Sequence, residues 1–209
     1  MLSGTEQITS SMTMSPIQND SNPESDSPGD NGVEGTDWHS ARGAVIEVTV
    51  DGSVWPDSLV DDLRRRAPDI LDRVMQREGY SAPIVSLLLC GDAKMRRLNR
   101  QHRDIDKSTN VLSFPAADDW PDAAVNPMLG DVAIAAETVS NEANAAGLAA
   151  EDHLLHLFTH GVLHLLGYDH IDDDMAAEME ACEIELLASM NIANPYDLHQ
   201  RIAMLEGNQ

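Results

Sequence analysis

Cysteine is nearly absent: Cys90 and Cys182 are the only two in 209 residues, and they do not form a C-x-x-C pair. A disulfide framework, a Cys-based zinc finger and a dithiol redox motif are thereby excluded. Aromatic residues make up only 4% of the chain, which leaves few platforms for stacking bases and argues against sequence-specific base recognition. No run approaches the roughly 18 to 20 apolar residues of a membrane helix. The opening MLSGTEQITSSMTMSP lacks both the positive and the apolar region of a secretory signal. These shortages predict a soluble, cytoplasmic protein with no membrane partner.

Positive charge is scarce as well. Thirteen Lys and Arg stand against 36 Asp and Glu, for a formal net charge of -23, a surface that repels polyanions and suits solubility. The deficit is uneven. Residues 1–43 carry 7 acids and 1 base, residues 44–117 carry 11 of each, and residues 118–209 carry 18 acids and the single base Arg201. The total argues against nucleic acid, DNA included, as a partner, and any polyanion would have to approach the stretch between Arg64 and Lys107, where eleven of the thirteen bases lie.

What is present is enough apolar mass, 42%, for one domain with a real core. Of the first 43 residues, 27 are Ser, Thr, Asn, Asp, Gly or Pro. Such a segment cannot offset its own ordering entropy, so residues 1–43 are expected to be a disordered acidic extension and residues 44–209 the functional domain. AVIEVTV (44–50) alternates as a strand. Apolar positions at helical spacing predict a helix pair over 57–78, broken at Ala67-Pro68. Strands are expected at 83–90, 110–114 and 129–135, the last two joined by a Pro- and Asp-rich loop, with a helix capped by Asp92 between the first two. Helices at 137–146, 150–166 and 173–190, and a short one from Pro195, complete an α+β fold: a small four-stranded mixed sheet packed with helices, its C-terminal part all helical.

The helix at 150–166 carries His153, His156, His160 and His164 on one face, opposite Leu154, Leu155, Phe158 and Leu165. His160 and His164 lie one turn apart, about 6 Å between Cβ atoms, and two imidazoles so placed can converge on one ion. Gly167 ends the helix, and His170 follows the turn. Three neutral nitrogen ligands leave a fourth tetrahedral position open, as in a catalytic rather than a closed structural zinc site. His153 is expected at the surface, and His156 beside the ligands rather than among them. The string resembles the metzincin protease motif H-E-x-x-H-x-x-G-x-x-H, except that Gly161 replaces the glutamate that serves as general base. Close substrate approach and simple packing both account for a glycine there.

H-G-V-L-H-L-L-G-Y-D-H, His160 to His170, resembles more closely the signature of the YbeY family of bacterial endoribonucleases, also called rRNA maturation factors. R-D-I-D-K-S-T-N-V-L-S-F-P (Arg103 to Pro115) and L-G-D-V (Leu129 to Val132) are similar to two further segments of that family. The likeness runs from about Lys94 to Tyr196; Ser108 stands where Pro is frequent, and the acidic extension is not part of the family pattern. The resemblance implies one Zn2+ per chain on His160, His164 and His170, and a role for Arg103 in catalysis or RNA binding. It further implies single-strand-specific cleavage in rRNA processing, at the 3′ end of the small-subunit species, and in ribosome quality control, with ribosomal RNA and ribosomal subunits as partners. Lys94, Arg97, Arg100 and Lys107 are the expected phosphate contacts. Asp131 and Asp169 are candidates for proton transfer. A zinc peptidase, and a non-catalytic ribosome-assembly factor with structural zinc, are the competing readings.

Overall fold

In a computed structural model, which describes residues 34–52, 54–116 and 128–197, the elements follow as β1 (Glu34–His39), β2 (Val45–Val50), α1 (Asp57–Glu78), β3 (Ile84–Cys90), α2 (Asp92–Arg103), β4 (Val111–Pro115), β5 (Met128–Ala135), α3 (Ala136–Ala146), α4 (Ala150–Leu165) and α5 (Asp173–Ala188). The sheet order is β1-β2-β3-β5-β4, with β2, β3 and β5 parallel and both edge strands antiparallel. The α+β class, the mixed sheet and the helical C-terminal part are as expected, but the sheet has five strands rather than four.

The additional strand is β1, EGTDWH, inside the segment expected to be disordered. It pairs with the whole of β2, from Glu34 opposite Val50 to His39 opposite Val45, and Trp38 is buried in the core. Its polar composition conceals it, because an edge strand satisfies its backbone on a neighbour and here anchors itself with one large ring. The ordered domain therefore includes residues 34–43, ten residues more than the expected boundary allowed. Residues 1–33, the stretch 117–127 expected to be a Pro- and Asp-rich loop, and all but the first residues of the short helix expected from Pro195 lie outside the described residues.

Two further expectations change. α1 is one continuous helix with Pro68 inside it, on the face that it buries along with Ala67, Ile70 and Leu71. Packing outweighs the hydrogen bond that proline removes. Asp92 does not cap its own helix, whose N-cap is Gly91. Its carboxylate accepts instead from the Thr138 N–H (3.2 Å) and hydroxyl (2.8 Å) at the start of α3, while Glu137 accepts from the Asp92 N–H at 2.8 Å. The two helix starts thus cap each other.

The strands' alternation divides the core. Ile46, Val48, Val85, Leu87, Val132 and Ile134 pack in one large cluster with α1, α4 and α5. On the opposite face Cys90, Leu112, Ala133 and Ala135 pack with Met95 and Leu98 of α2. The histidine helix α4 and the basic helix α2 therefore sit on opposite faces of the sheet. Both cysteines are buried. Burial pushes the Cys90 thiol up to about 12 and also raises Cys182. No helix among the described residues is long and apolar enough to cross a membrane.

Candidate metal centre

Helix α4 buries Leu154, Leu155, Leu157, Phe158, Val162, Leu163 and Leu165 and turns its histidines the other way. Its end is set by Gly167, at φ 91. The Gly167 N–H donates to His164 O (3.1 Å) and the Tyr168 N–H to Leu163 O (3.1 Å), the two bonds of a Schellman turn. That turn aims the Tyr168 carbonyl back at His164, whose Nδ1 donates to it at 2.9 Å. It also delivers His170, so that one ring nitrogen from each of His160, His164 and His170 lies within 4.8 Å of the others. The Asp169 carboxylate accepts from the His170 backbone N–H at 2.8 Å and so shapes the turn.

The protons of these rings are assigned by their partners. His160 Nδ1 donates to Glu183 Oε1 at 2.8 Å, and His156 Nε2 and the Tyr196 hydroxyl donate to Glu183 Oε2 at 2.7 and 2.5 Å. Burial alone would raise this carboxyl. The hydrogen bonds that His156 and His160 donate prevail and hold it down at about 2. Burial and the neighbouring His160 lower His164, which stays neutral. With both Nδ1 protons engaged, His160 Nε2 and His164 Nε2 face each other at 3.0 Å with bare lone pairs. Two acceptors at that distance repel unless a cation lies between them, and tetrahedral coordination at about 2.0 to 2.1 Å per bond sets nitrogen atoms about 3.3 to 3.4 Å apart, a few tenths wider than here. The donor set fits a small divalent transition metal.

Glu183 and Tyr196 did not stand out in the sequence, although a signal for Glu183 was there. It falls in the stripe Met179, Cys182, Leu186 and Leu187 of α5, where every neighbour is apolar and buried. An acid on such a stripe requires partners. His156 stands beside the ligands as expected; His153 is half-buried rather than exposed, with Nε2 3.0 Å from Glu142 Oε2. Gly161 faces the sheet: a Cβ there would lie 2.8 Å from Val132 Cγ1 and 3.1 Å from Ser113 Oγ. The glycine is a packing requirement, and a glutamate at this position would point into the core. Asp131 is on the α2 side of the sheet, next to Ser86, where burial raises it. It is thus separated from the histidines by the sheet.

A cavity of about 530 Å³ adjoins the cluster, bordered by His160, His156, Asn110, Glu142 and Tyr196 among others. Arg103 is exposed at the end of α2, on the segment that leads through 104–110 to the edge strand β4. Lys94 is ion-paired with Asp51 at 2.8 Å and Arg96 with Asp106 at 2.7 Å. Arg97, Arg100, Arg103 and Lys107 have no carboxylate within 4.0 Å among the described residues.

The family model for Endoribonuclease YbeY matches residues 56–191, about two thirds of the chain. The chain belongs to the YbeY endoribonuclease family. Endoribonuclease YbeY of Agrobacterium fabrum is 40% identical over 157 residues, covering 72% of this chain and 94% of the relative. That of Paramagnetospirillum magneticum is 53% identical over 166 residues, covering 72% and 96%. A solution structure of a Thermotoga maritima protein aligns at 22% identity and a TM-score of 0.47, over 70% of this chain and 91% of the other. The YbeY match spans Arg103, the cavity residues Asn110 and Glu142, and all three clustered histidines, and it ends at residue 191, before Tyr196. Membership joins the histidine cluster to a metal-dependent nuclease family and sets the peptidase reading aside.

Proposed function

We propose that His160, His164 and His170 hold one zinc ion and that this endoribonuclease cuts single-stranded RNA there. Its substrate in this reading is the 3′ end of small-subunit ribosomal RNA, with ribosomal subunits as partners in maturation and quality control in the cytoplasm. The observation that carries the reading is the approach of His160 Nε2 to His164 Nε2 at 3.0 Å while the Nδ1 of each ring faces an acceptor of its own, Glu183 Oε1 and the Tyr168 carbonyl. Three neutral nitrogens suit zinc over harder cations. The ion, when bound, supplies Lewis acidity to phosphate and to water.

The chain supplies the rest. Glu183 and the Tyr168 carbonyl hold two rings so that Nε2 remains the donor atom. Arg103 offers a planar fork that binds phosphate bidentately and keeps its proton. Arg97, Arg100 and Lys107 extend that positive track, while Lys94 is largely neutralised by Asp51. Since β4 is the edge strand, an RNA backbone running along α2 reaches the α4 face by crossing that edge near residues 104–110.

The test is cleavage by the purified full chain of a single-stranded RNA carrying the small-subunit 3′ end, alongside a peptide panel. RNA should be cut and peptides left intact. Chelation should abolish cutting, and Arg103→Lys should reduce it by one to several powers of ten at unchanged metal content. Peptide cleavage without RNA cleavage, or full activity after the metal is stripped, would overturn the reading.

A further inference from the structure

The cavity beside His160 is accounted for neither by a metal nor by a phosphate. Its volume, about 530 Å³, is that of a small-molecule site. Among the described residues no Lys or Arg lines it and Glu142 faces it, a lining that repels the charged part of a nucleotide. Val111, Ala146, Leu148, Leu157 and Pro195 form apolar walls, which accept the flat neutral part. In a chain with 4% aromatic residues, the rings of His153, His156, His160 and Tyr196 also gather here. Imidazole and phenol rings are the planes on which unpaired bases stack.

We infer that this cavity binds one unstacked nucleobase bearing an exocyclic amino group, and so helps to choose where the strand is cut. The inference rests on the endoribonuclease reading. Its polar end is the Glu142 carboxylate, held by Asn110 Nδ2 (3.0 and 3.3 Å) and by His153 Nε2 (3.0 Å). A carboxylate accepts about four hydrogen bonds and donates none. With three accepted contacts it retains capacity for the amino group of adenine, cytosine or guanine. Uracil presents carbonyl oxygens on either side of its one N–H, and a carboxylate opposes them. His160 borders both the cavity and the ligand cluster, so a base seated here brings its own phosphate to the three histidines.

The test uses the metal-loaded full chain and four pentaribonucleotides, UUXUU with X as A, C, G or U, measured by fluorescence anisotropy and by mapping the cut. Oligomers with A, C or G should bind about tenfold tighter than the all-uridine one, the worth of one good hydrogen bond, and be cut beside X. Ala146→Trp, which fills the cavity from the last turn of α3, should erase that preference while metal content and all-uridine binding stay as they are. Glu142→Gln should narrow the preference without filling anything. Equal binding of all four oligomers by the native protein, or an unaltered preference in both variants, overturns the inference. If the native protein cuts none of them, the nuclease reading falls, and the anisotropy ranking still decides the base site.

Discussion

Glu183 holds one of the three clustered histidines, yet a linear reading gives it little weight. Its two oxygens accept hydrogen bonds from His160, His156 and Tyr196, so one buried carboxylate fixes the tautomer of a ligand 23 residues away on another helix. Glu183→Gln replaces one acceptor oxygen with a donor amide. Metal affinity should fall about 10- to 100-fold, as for other groups that orient a ligating histidine, and competition with a chromogenic chelator measures it; unchanged affinity would show that the carboxylate is not the orienting group. His160, His164 and His170 were legible because a helix and a glycine turn make their geometry local. Glu183 was not, because its partner is on another element and only packing brings the two together. Gly161 was legible as an anomaly, yet its cause, Val132 on β5, is visible only in three dimensions.

At the scale of elements, that glycine fixes how closely α4 lies on β5. Gly161→Ala should gain about 1 kcal/mol of helix propensity and lose more to a Cβ placed 2.8 Å from the stiff Val132. Overpacking typically costs about 1 to 3 kcal/mol. Calorimetry should show a melting temperature lower by a few degrees, whereas a rise would mean that the helix can lift off the sheet without loss. The sheet's other edge provides a sharper comparison. A chain beginning at residue 44 lacks β1 and Trp38, whereas one beginning at residue 34 keeps both. The shorter chain should melt lower by roughly 10 °C, since removing a buried tryptophan costs about 3 to 5 kcal/mol. Equal melting temperatures would show that β1 is dispensable. Strands with apolar alternation, β2 and β5, and helices with clear stripes were readable from composition and period. β1 was not, because its strand character comes from its neighbour rather than from its own side chains.

The whole molecule must bring a polyanion to a body of formal net charge -23. Two of the six cations on the 94–107 segment are already ion-paired, Lys94 with Asp51 and Arg96 with Asp106, which leaves four for phosphate. Single-stranded RNA loses affinity with salt at about -0.7 per neutralised phosphate on a double logarithmic plot. The slope should therefore be near -3, and a filter-binding series in potassium chloride reads it; a slope near -4 or steeper would mean that the paired cations let go of their partners for RNA. Charge imbalance was evident from the sequence, but which cations remain available was not, since Asp51 and Asp106 become partners only through folding. For labelling this chain the two buried thiols matter. Because Cys90 and Cys182 are both hidden and both held protonated at neutral pH, a cysteine placed at Ala146 on the cavity rim would be the reactive one in an otherwise native background. It could form a mixed disulfide with a thiol-bearing oligonucleotide and trap the strand in place.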